Sequence, residues 1–115
     1  MGEAFDVSVA QVDGVPVVTV SGEVDVATAP ILRDRLQELS AGGASTVVID
    51  LHEMTFLDST GLGVLVGALK RCREGGGELR LVAAQPRILK LLDITGLMGV
   101  FPLHETVAAA CEQSK

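Results

Sequence analysis

The sequence predicts an α/β domain in which a mixed sheet of four to five strands packs with about four helices. Three observations carry this. Short runs rich in Val and other apolar residues at 5–12, 15–20, 46–51 and 78–83 suit strands, and segments with apolar residues at helical spacing lie between or after them. The length of 115 residues is near the commonest size for one domain and buries a core without staples, so residues 1–115 are read as one domain.

The first two runs, FDVSVAQV and VPVVTV, flank Asp13-Gly14, a dipeptide that suits a two-residue turn needing positive φ, and so form a hairpin. After GEVD at 22–25 comes Thr28, then Pro30 at the start of a helix with Leu32, Leu36 and Leu39 on one face, closed by Gly42-Gly43. TVVIDL at 46–51 reads as a central strand covered on at least one face. The next helix, 59–74, repeats Leu62, Leu65, Val66, Leu69 and Cys72 until Gly75-Gly76-Gly77 ends it. ELRLVA at 78–83 alternates like another strand. Pro86 opens a helix with Ile88, Leu89 and Leu92 that ends near Gly96, and a last helix spans roughly 105–113. The order is β-β-α-β-α-β-α-α. Leu62, Leu65, Val66, Leu69, Val48 and Ile49 are the expected core.

Composition excludes several classes of function. Net charge is −6, and with 3% aromatics and neither Trp nor Tyr there is no field to attract phosphate and no platform to stack bases, so direct nucleic-acid binding is not expected. Lys70, Arg71 and Arg73 read as the solvated face of a helix. No run of about 18 uncharged apolar residues exists to span a bilayer. The start, MGEAFDVSV, lacks a basic and then apolar leader, and position 6 is Asp where a myristoylation signal needs Ser or Thr, which makes the cytoplasm the expected compartment. Cys72 and Cys111 cannot hold a metal alone; they read as buried thiols, with a regulatory disulfide as the lesser alternative. No metal and no cofactor are expected.

FLDSTGLG at 56–63 poses the functional question, because Ser59 there suits a helix cap, a nucleophile or the target of another enzyme. Asp58 or Ser59 is a good cap for the helix that follows. Gly61 and Gly63, however, lie in its first turns, where each is intrinsically about 1 kcal/mol worse than Ala. Their bareness reads as access for a ligand or a partner surface to the backbone. A nucleophile needs a base, and neither His52 nor His104 stands in a recognisable triad context, while G-x-S-x-G is absent. Asp58-Ser59 is followed by Thr60 and not by the Gly of an aspartic protease. The nearest lysine, Lys70, is nearly three helical turns downstream, too far for a phosphate loop.

GEVD at 22–25, FLDSTGLG after a buried strand, LVGALKR in the helix and ITGL at 94–97 together resemble the bacterial anti-sigma factor antagonists of the STAS class over nearly the full chain. DSTGLG followed by this helix is the specific part of the match. The resemblance implies a STAS-type domain without enzymatic activity. It binds an anti-sigma factor, itself an ATP-dependent serine kinase, and so releases the sigma factor. The kinase phosphorylates the residue after the family's Asp, here Ser59 with Thr60 in the neighbouring slot, and a phosphatase restores the binding form. The implied partner surface is Asp25, Asp58, Ser59, Thr60, Gly61, Leu62 and Gly63, Asp25 matching the family acid of the first strand-to-helix loop. A monomer or weak dimer is expected. The alternative is a STAS module in a larger signalling assembly, against which the expected lack of a sensor domain or membrane segment argues.

Overall fold

Asp13 at φ 54° and Gly14 at φ 80° close the predicted hairpin between β1 (Asp6–Val12) and β2 (Val15–Val24). Val12 pairs with Val15 across the turn, as the primed turns of two-residue hairpins require. The computed structural model describes residues 4–83 and 85–112, so Met1-Gly2 and the predicted helix end at 113 lie outside the described residues.

The remaining elements are α1 (Ala29–Ala41), β3 (Val47–Leu57), α2 (Ser59–Glu74), β4 (Leu79–Val82), α3 (Pro86–Ile94), β5 (Leu103–His104) and α4 (Val107–Cys111). The five strands lie in the order β1-β2-β3-β4-β5, with β1 antiparallel on one edge and the other pairs parallel. Each parallel step crosses through a helix, as parallel pairing demands.

Alternate strand residues point to two separate cores. Val18, Val20, Ile49, Leu51, Leu79 and Leu81 pack with buried side chains of α1, α2 and α3 on one face. Val15, Val17, Val48 and Val82 pack with Ala110 and Cys111 of α4 on the other. This double cover accounts for the unbroken apolar run Val47-Val48-Ile49 in the central strand. It also separates the thiols: Cys72 belongs to the first core and Cys111 to the second, so the sheet stands between them and a bridge has no route in the folded chain. Burial raises the pKa of both thiols, opposed by the Arg71 charge at Cys72; at Cys111 Asp13 adds to the rise and Arg80 opposes it.

Four sequence expectations change. The central strand does not stop at Leu51 but runs to Leu57, because its second half pairs with an equally extended β2: Ser21 lies opposite Glu53 and Val24 opposite Leu57. Irregular pairing around Ser21 and between Gly22 and Glu23 absorbs the mismatch along the way. A fifth strand of two residues, β5, stands where the element order had none. The last helix is shorter, starting after Thr106, whose hydroxyl accepts the Ala109 N–H at 3.1 Å. Finally, Val66 is not core. It is 39% exposed, since each helical step turns about 100° and Val66 follows the fully buried Leu65, off the stripe of Leu62, Leu65, Ala68, Leu69 and Cys72 that faces the sheet. Leu62, Leu65, Leu69, Val48 and Ile49 are buried as expected.

Candidate functional site

The site lies where β2 and β3 leave the sheet. Because Val24 is paired with Leu57, the next residues, Asp25 and Asp58, emerge from neighbouring parallel strands, and the Asp58 N–H donates to the Val24 carbonyl at 3.2 Å. The carboxyl ends of parallel strands are where open α/β sheets place their functional groups.

Asp58 caps α2. Its backbone is extended, its carboxylate Oδ1 accepts the Gly61 N–H at 3.0 Å, and its carbonyl accepts the Leu62 N–H. With the cap made by Asp58, Ser59 becomes the first residue of the helix. Its side chain is exposed, and among the described residues the hydroxyl takes part in no hydrogen bond. Thr60 is exposed beside it. Of the two histidines, His52 is joined to Asp50 at 2.9 Å on β3, and His104 lies on β5 at the other side of β4.

Asp25 is half-buried and serves its own loop. Its Oδ1 accepts the N–H groups of Ala27 at 3.0 Å and Thr28 at 3.1 Å, while the Asp25 N–H donates to the Thr28 hydroxyl at 2.9 Å. That hydroxyl in turn donates to the Glu23 carbonyl at 2.8 Å. The reciprocal bonding fixes the chain between β2 and α1, so Asp25 holds the wall next to Asp58, and Thr28, read in the sequence only as a helix start, shares that work.

The two glycines differ. Gly63 is exposed with open space where a side chain would stand, which agrees with the access expected from the sequence. Gly61 is buried, and a Cβ there would collide with Leu57 Cδ1 and lie 2.7 Å from Val24 Cγ1. Its bareness lets the helix start sit down on the ends of β2 and β3, not an approaching partner. Leu62 is likewise buried and supports the surface from beneath. Opposite effects on stability follow. Gly63→Ala is expected to stabilise by up to about 1 kcal/mol through helix propensity. In Gly61→Ala the overlap, about 1 to 3 kcal/mol, exceeds that gain and leaves a net loss. Urea unfolding of the two variants checks this; equal shifts of the same sign would contradict the packing at Gly61.

The sequence signalled none of the apolar surface around the site. Val26 in the Asp25 loop, Phe56 near the end of β3 and Ile94 at the end of α3 are all exposed.

Fold and site together define a small α/β module that presents a serine outward from a capped helix start at the end of a parallel sheet. The chain belongs to the STAS domain family, whose model matches residues 6–110. It is 42% identical over 86 residues to an anti-sigma-B factor antagonist of Bacillus subtilis strain 168, covering 75% of this chain and 78% of that protein. It is 36% identical over 88 residues to an anti-sigma-B factor antagonist of Staphylococcus aureus strain NCTC 8325 / PS 47, covering 76% and 82%. The crystal structure of an anti-sigma factor antagonist from Mycobacterium paratuberculosis matches with a TM-score of 0.85 at 36% identity, over 93% of this chain and 91% of that one.

Proposed function

We propose that the protein is an anti-sigma factor antagonist that acts in the cytoplasm. In its unmodified form it binds an anti-sigma factor that is also a serine kinase, and the sigma factor is released. Phosphorylation of Ser59 switches this binding off, and a phosphatase restores it. The observation that carries the reading is the division of labour at the helix start: Asp58 makes the cap, which leaves the Ser59 hydroxyl exposed and free for transfer chemistry. Identity of 42% to an anti-sigma-B factor antagonist supports the antagonist part of the reading.

The docking surface in this reading is the exposed part of the turn, Ser59, Thr60 and Gly63, held in place by Asp25, Asp58, Gly61 and Leu62. Activity of the protein lies in binding and in accepting phosphate, and no step assigns it a catalytic base. Among the described residues, no helix is long and apolar enough to cross a membrane.

Incubation with the cognate anti-sigma factor and ATP is expected to add one phosphate, mapped to Ser59 by mass spectrometry and abolished in Ser59→Ala. Phosphate on Thr60 with Ser59 untouched would move the assignment by one residue; no phosphate on either would remove the switch.

A further inference from the structure

Beside the serine turn runs an apolar groove between the end of β3 and α3. Phe56 and Leu57 form one side, Leu91 and Ile94 the other, and Arg87 and Lys90 rim it. Phe56 is 45% exposed and Ile94 69%, in a chain with only three aromatic residues, the other two of which are partly or fully buried. Exposed apolar side chains gathered in one place mark contact surfaces more than scattered ones do.

The groove is continuous with the site. Leu57, part of its wall, is the side chain that fits beneath Gly61, and Phe56 lies three residues before Ser59 on the same strand-to-helix path. Its charge is opposite to that of the whole molecule. The chain carries −6, yet the groove is lined by two cations and, among the described residues, no carboxylate. Neither cation belongs to an ion pair among the described residues, although one Arg87 nitrogen donates to the Thr55 carbonyl at 3.2 Å and fixes that side chain along the rim. An acidic segment carrying large apolar side chains meets both features at once.

We infer that this groove is a second docking surface for the anti-sigma factor, which seats there an acidic segment with large apolar side chains while its kinase site addresses Ser59. The inference rests on the function proposed above and adds where part of the affinity and the partner choice reside. Apolar anchors in such a groove dominate binding, and the rim cations set the approach and its salt dependence.

The test uses the anti-sigma factor that phosphorylates Ser59. Ile94→Ser and Lys90→Glu are both at exposed positions, so their thermal unfolding is expected to match the parent chain. Each is expected to weaken binding of the unmodified protein about tenfold or more, as anchor residues do, and Lys90→Glu is expected to flatten the salt dependence. A photo-crosslinking residue in place of Ile94 is expected to attach to a partner peptide rich in Asp or Glu. If both variants bind as the parent does while phosphate on Ser59 still abolishes docking, the groove lies outside the interface and the inference fails, with the Ser59 switch intact. Crosslinking to a second copy of the chain, or to a basic partner peptide, also overturns it. Loss of the phosphate effect in the parent chain overturns the Ser59 reading and this inference with it.

Discussion

Phosphorylation of Ser59 is expected to weaken docking to the anti-sigma factor by about a hundredfold, which corresponds to about 2.7 kcal/mol. A phosphate adds about −1.5 to −2 charge at neutral pH together with a hydrated shell. Within the free protein that charge is tolerated, because Ser59 is the first residue of α2 and the helix start favours anions. A partner surface fitted to a neutral hydroxyl has to desolvate the new charge, and the Asp58 carboxylate beside it adds like-charge repulsion. An unpaired charge forced into an interface costs about 2 to 5 kcal/mol, so a hundredfold loss is a modest figure. Ser59→Ala is expected to bind constitutively and Ser59→Glu to bind poorly, its single carboxylate imitating phosphate incompletely. Calorimetry on the wild-type, phosphorylated and Glu forms decides it: equal affinities for all three would end the switch mechanism. Unchanged thermal unfolding on phosphorylation is the companion expectation, since nothing in the Asp58 cap involves the Ser59 hydroxyl.

Leu65→Ala is expected to destabilise the fold by about 2 to 5 kcal/mol. Leu65 is fully buried on the α2 stripe that packs over the sheet, and truncation leaves a hole in the core that this stripe shares with the sheet and α1. Leu69, also buried there, is expected to behave alike. These losses are a large share of the whole, because a domain of this size is stable by only about 5 to 15 kcal/mol. Chemical denaturation measures them. A cost near zero at both positions would mean that α2 does not pack as described, and the presentation of Ser59 would lose its support.

The two long helices were legible because their ends carry specific chemistry. Asp58 and Gly75 bracket α2 at the predicted 59–74, and Thr28 and Gly42 bracket α1. The length of β3 was not legible, since His52, Glu53 and Phe56 are exposed along its second half and interrupt the apolar run that announces a buried strand. β5 escaped because two residues give no periodicity. At the site, the DSTGLG turn and the place of Ser59 at the helix start were readable, whereas the reason for Gly61 was not: a missing side chain serves a partner's approach and a tight internal contact equally well, and only the positions of Val24 and Leu57 separate the two. Phe56 and Ile94 were invisible as surface because apolar residues in strands and helices are ordinarily assigned inward.

The pairing of Val24 with Leu57 also governs where the chain can change length. Deleting one residue between Met54 and Leu57 would draw Ser59 back by about 3.3 Å and turn every following strand side chain to the opposite face. Leu57 would leave its place under Gly61, and Asp58 would no longer emerge beside Asp25. The exposed Gly42-Gly43 turn after α1 sits at the far end of β3, where an extra residue or two alters no paired position and bulges into solvent. Length variants of this protein are therefore expected to be tolerated at the end where the parallel strands begin and rejected at the end where they finish.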